Sequence, residues 1–113
     1  MKPLTSKKPV LKALVTNRGK ILDTGKELPE TEPGENPEES IKAELEEQDL
    51  ETEVHRVIDV NSREEKLEIL YHLEADSRNG DWIEPEKAQD IYELPESQRI
   101  RNFLEKLEKI PTR

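Results

Sequence analysis

The stretch PGENPEESIKAELEEQDL, residues 33 to 50, carries a run of carboxylates dense enough to hold a hard cation. Carboxylate and amide oxygens are the ligands that such an ion takes. Residues three and four apart on a helix stand side by side, so Glu44, Glu47 and Gln48 would share one face. A divalent ion there could make the stretch a catalytic site. Glu46 points roughly 160° away from Gln48 and would not join that face. The competing reading is a solvated helix face in a highly charged chain.

The helix that must position these groups has a legible start. Asn36 suits the N-cap, Pro37 the first helical position, and Glu39 completes the spacing of a capping box. Ile41 and Leu45 lie four apart and are expected to face the core, with Leu50 closing the end. Upstream, Val10 to Val15 reads as a buried strand, Asn17–Gly19 as a turn and KILD as the returning strand of a hairpin. Thr24 to Gly34 reads as loop. Downstream, ETEVHRVIDV alternates as a strand with Val54, Ile58 and Val60 on one face. LEILYHLEAD puts Leu67, Ile69, Tyr71 and Leu73 on one face with a period of two. After Trp82, the pattern predicts one broken or two short helices with Pro95 at the break, the last carrying Ile100, Phe103, Leu104 and Leu107 as its apolar stripe. Strand, strand, helix, strand, strand, helix implies an α+β sandwich.

A chain of 113 residues fits one domain, here residues 10–113 behind a flexible basic tail of residues 1–9. Only 31% of the residues are apolar, so the core must be small and aliphatic. The formal charge of −9 argues against binding a nucleic-acid backbone, since nothing balances the repulsion. There is no cysteine, which excludes disulfides, thiolate metal sites and cysteine nucleophiles. Neither a secretory leader nor an apolar run of spanning length stands out, so a cytoplasmic protein away from membranes is expected. His55 and His72 read as partly exposed sheet residues rather than zinc ligands. Tyr71 and Trp82 read as core anchors rather than a base-stacking pair. Lys7, Lys8 and Lys12 could meet a phosphate, or simply belong to a basic tail. No P-loop, GxGxxG or serine nucleophile elbow is present.

The order of elements, together with ELPETEPGENPEE and the helix after it, resembles the Nudix hydrolase family. Its signature runs glycine, five residues, glutamate, seven residues, then Arg-Glu-apolar-x-Glu-Glu-x-Gly-apolar, in a loop–helix–loop. Leu28, Pro29, Glu32, Pro33, Gly34 and Glu35 stand as in the family's approach to that signature, and WIEPEKA resembles the opening of its C-terminal helix. The resemblance runs from about Val10 to Leu107. It implies a reduced Nudix-like α/β/α sandwich with a mixed sheet, and magnesium, with manganese as the alternative, as cofactor. By the same resemblance Glu44 and Glu47 are the catalytic residues, and Glu35, Glu44, Glu47 and Gln48 the metal ligands.

The box departs from the family pattern. The paired glycines are missing between Pro29 and Glu32, where the loop is shortened. Eight positions after Glu35, Ala43 stands where the family has arginine, Gln48 replaces the third glutamate, and Leu50 replaces the glycine. A second register takes Glu46 and Glu47 as the paired acids, Asp49 as the glycine and Leu50 as the apolar closer. That register needs a one-residue deletion, which inside the helix would rotate its halves by about 100°. The ungapped register, with the deletion absorbed at the helix end, is preferred. Losing a ligand and the orienting arginine could each cost about one to three orders of magnitude in rate. The resemblance therefore implies a weak, magnesium-dependent hydrolase of a nucleoside diphosphate derivative. The alternatives are a catalytically silent Nudix-like domain binding a nucleotide or protein partner, or a minimised scaffold. A homodimer through an exposed sheet edge is a further expectation.

Overall fold

A computed structural model of the chain describes residues 8–23, 25, 28–62, 65–76, 80–92 and 97–108. Its strands are β1 (Lys8–Asn17), β2 (Lys20–Leu22), β3 (Glu30–Thr31), β4 (Thr52–Ser62), β5 (Lys66–Ala75) and β6 (Trp82–Ile83). Its helices are α1 (Pro37–Glu46), α2 (Pro85–Ile91) and α3 (Gln98–Glu108). The strands form one mixed sheet in the order β4-β5-β1-β2-β6, with β3 also paired to β1. β1 runs parallel to β5 from Lys8 opposite Lys66 to Thr16 opposite Glu74, and the other pairs are antiparallel. The fold is α+β.

The sheet is packed on both faces because β1 is apolar on both. Leu11, Ala13 and Val15 join Ile69, Tyr71, Leu73 and Ala75 of β5 under Ile41 and Leu45 of α1 and the following Leu50. Their alternates Leu14 and Leu70 join Ile58 on the opposite face, against Ala88, Tyr92, Ile100, Phe103, Leu104 and Leu107. A strand buried on both sides must be apolar at successive positions, and VLKALV meets that demand except at Lys12, which pairs with Glu68. The Tyr92 hydroxyl donates to the Leu22 carbonyl at 3.0 Å, tying the end of α2 to β2.

The hairpin turn is as expected: Arg18 (φ 50) and Gly19 (φ 82) are both left-handed, the pattern that matches the twist of two tightly joined strands. Elsewhere the structure differs from the sequence expectations. β1 begins at Lys8, and the segment expected to be loop from Thr24 to Gly34 contains the two-residue strand β3. The Pro95 break and residues 1–7 lie outside the described residues. Val60 does not share a face with Ile58. Register shifts between Val54 and Arg56 and between Val57 and Asp59 bulge β4, turning strict alternation into a repeat of three. Val54, Val57 and Val60 oppose Leu73, Tyr71 and Ile69 on the α1 side, while Ile58 is buried on the α3 side. α1 covers Val54 but leaves Val57 and Val60 41% and 47% exposed. Among the described residues, no helix is long and apolar enough to cross a membrane.

Candidate functional site

α1 is held at its start by the loop before it. The Glu39 amide donates to Asn36 Oδ1 at 3.3 Å, the N-cap bond expected from the sequence. Ser40 Oγ donates to the Pro33 carbonyl at 2.7 Å, pinning the loop to the first turn. Gly34 sits between them at φ +60, and a Cβ there would stand 2.9 Å from Ser40 Oγ. Gly34→Ala is expected to lower stability by about 1–2 kcal/mol through the left-handed backbone alone, more if the Ser40 bond is displaced, as read by urea denaturation.

Along α1, Ile41 and Leu45 point into the core and Glu44 flanks them, partly buried. The Glu44 carboxyl is pushed up in pKa, first by burial and then by its hydrogen bond to, and the charge of, Glu47. The structure therefore brings Glu44 and Glu47 together. Gln48 follows on the exposed side, and Glu46 is exposed away from the pair. Glu35 is exposed in the loop ahead of α1, and it does not join Glu44 and Glu47: among the described residues no three carboxylate or imidazole side chains are grouped to hold a metal.

The helix end is closed by Asp49 and Leu50. Leu50, expected in one register at the glycine position, is buried, and its amide donates to the Leu45 carbonyl at 3.1 Å. Asp49 instead adopts the left-handed conformation (φ 61) that a closing glycine supplies at low cost. The helix thus runs without interruption through Glu44 to Glu46, with Glu47 as its C-cap in right-handed helical conformation. A two-carboxylate pair suits magnesium, which keeps several waters and uses one or two protein carboxylates. Among the described residues no lysine or arginine is paired with either carboxylate, so the pair's repulsion is relieved only by a proton or an added cation.

The other expected groups fall elsewhere. Tyr71 is buried against α1, its phenol pushed up in pKa by burial and then by the Glu38 carboxylate. Trp82 packs against the same cluster, and its indole Nε1 has no hydrogen-bond partner among the described residues. Lys8 pairs with Glu32 at 2.7 Å and Lys12 with Glu68 at 3.0 Å, while Lys7 is outside the described residues.

A polar chain on the α3 side was not expected. His72 Nε2 is 2.7 Å from Thr16 Oγ1, and that hydroxyl donates to Glu74 Oε2 at 2.5 Å. With its one proton on Glu74, Thr16 can only accept from the imidazole, which assigns His72 the Nε2–H tautomer. Glu74 Oε1 also accepts from the Arg18 amide at 3.3 Å, and Asn17 Nδ2 donates to the Ala75 carbonyl at 2.8 Å, so the hairpin turn is tied to the end of β5. Thr16 is fully buried and unavailable to a substrate, so it is no nucleophile. The only sequence signal was a threonine at the end of an apolar strand.

No protein-family model and no curated protein matches this chain. Solved structures share its fold. A crystal structure from Sinorhizobium meliloti, of a protein provisionally named an oxidoreductase, has a TM-score of 0.64 at 18% identity. That likeness covers 94% of this chain, which spans only 41% of the other. The solution structure of the E. coli ORF135 protein has a TM-score of 0.63 at 20% identity, covering 92% of this chain and 94% of that one. At these identities the likeness is one of fold, and site chemistry has to be argued from this chain's own residues.

Proposed function

We propose that the chain is a weak, divalent-cation-dependent hydrolase of a nucleoside diphosphate derivative, of Nudix type, with Glu44 and Glu47 as its acid pair. The observation that carries this reading is the Glu44–Glu47 contact on a helix pinned at Gly34 and Ser40 and closed at Asp49 and Leu50. A bound magnesium ion would supply charge neutralisation for the diphosphate and a polarised water. The chain's own part is to present two carboxylates from the last turn and C-cap of α1, with the Gln48 amide as a neutral third donor. The Glu35 side chain would have to move to contribute. A cytoplasmic setting belongs to the same proposal.

Incubation with a panel of nucleoside diphosphate derivatives and magnesium tests it. Turnover above a Glu44→Gln control is expected, and none on any member of the panel would sink it. A catalytically silent, ligand-binding domain is the second reading, favoured by Ala43 and by Glu35 standing apart from the pair. A redox function has less support: the oxidoreductase-named structure is matched over two fifths of its length, and Gly19, Gly25, Gly34 and Gly80 fall in no dinucleotide-binding spacing.

A further inference from the structure

The His72 imidazole occupies the joint between the sheet and α3. Its ring lies edge-on to Phe103 of α3, centroids 4.7 Å apart at 70°, and 5.0 Å from the ring of His55 on β4. The guanidinium of Arg56, also on β4, sits 5.9 Å over the other partner, Phe103. From β1 the neighbour is the Thr16 hydroxyl, and from β5 it is Glu74, whose Oε2 is 4.0 Å from Nε2. Only 13% of the His72 side chain is exposed.

We propose that this joint is an acid-sensitive latch, in which protonation of His72 releases α3 from a sheet that remains folded. A charged imidazole in the docked state would lose water while facing His55 and Arg56. Glu74, the opposing charge beside it among the described residues, is already engaged by the Thr16 hydroxyl and the Arg18 amide. Burial, followed by His55 and Arg56, accordingly pushes His72 down to about 4 from its ordinary 6.5. A depressed histidine contributes stability that is complete above the ordinary value and is lost as pH falls toward the depressed one. The window is therefore about pH 6.5 to 4, with the released state taking up the proton.

Topology makes α3 the part that yields. It takes no part in any strand ladder, and its attachment is the stripe Ile100, Phe103, Leu104 and Leu107. β1 and β5, by contrast, are held together along nearly their whole length. Release uncovers that stripe together with Leu14, Ile58 and Leu70.

Amide hydrogen exchange, expressed as protection factors to remove the intrinsic pH dependence, tests the latch on the whole chain. Between pH 7.5 and pH 5, α3 amides are expected to lose about 30-fold in protection while β1 and β5 amides keep theirs. In His72→Asn the α3 response should vanish. Should that variant fail to fold, the His72 ring resonances of the unmodified protein serve instead, and their titration should track the loss of α3 protection. Simultaneous loss of sheet and helix protection, pH-independent α3 protection, an undiminished acid response in His72→Asn, or His72 titrating near 6.5 with α3 still docked would each overturn the proposal.

Discussion

Replacing Leu45 with alanine is expected to lower the unfolding free energy by about 3 kcal/mol, within the 2–5 kcal/mol typical of a buried leucine truncation. Leu45 is fully buried, and with Ile41 it is one of only two side chains that α1 buries. A ten-residue helix has little stability of its own, so α1 exists because those two side chains dock it on β1 and β5. The surrounding Val15, Leu73 and Leu50 belong to a sheet and a closed helix end that cannot collapse into the vacancy. The urea midpoint should fall with an unchanged m-value. Glu46→Ala, one residue along on the exposed side, should stay within about 0.5 kcal/mol. A Leu45→Ala loss below 1 kcal/mol would mean that α1 is not packed as described.

Features specified by neighbouring residues were legible in the sequence. Asn36, Pro37 and the four-residue spacing of Ile41 and Leu45 define α1 because cap and stripe are both local. Ile69, Tyr71 and Leu73 line one face of β5 for the same reason. What escaped was set by partners far along the chain. The bulges in β4 depend on its pairing with β5, and they moved Val60 to the face opposite Ile58. The two-residue strands β3 and β6 exist only as edges completed by β1 and β2, with too few residues to show a period. Thr16, His72 and Glu74 form one hydrogen-bonded chain across more than fifty positions, and no spacing rule reaches that far.

The same division runs through the candidate site. Glu44 and Glu47 could be read together because the resemblance singled them out and helical spacing makes them neighbours. The resemblance placed Glu35 in the group, yet it stands apart from the pair, since its place depends on how a loop meets a helix. Asp49 is intermediate. Its left-handed backbone closes α1 where a glycine would do so at low cost, and only the folded helix end reveals it.

Replacing Glu44 with glutamine is expected to separate stability from cation binding by moving them in opposite directions. The folded chain holds a proton on Glu44 more firmly than the unfolded chain does, because burial and Glu47 both oppose its charge. By linkage, the charged pair weakens the fold above the ordinary carboxylate range and the strain eases as pH falls. Without divalent ions, Glu44→Gln should therefore raise neutral-pH stability slightly, by about 0.2–0.5 kcal/mol, the scale of a like-charge pair on a helix. Magnesium should act on the unmodified chain through the same pair. At ten times its dissociation constant, a ligand that binds only the folded state adds about 1.4 kcal/mol. Glu44→Gln should lose most of that gain, since one carboxylate and an amide are left to hold the ion. The check is a pair of thermal melts, with and without magnesium, for each protein, run alongside calcium and high sodium chloride to separate a site from general screening. An equal magnesium response in both proteins would reduce the acid pair to a solvated helix face and remove the residues on which the hydrolase proposal stands.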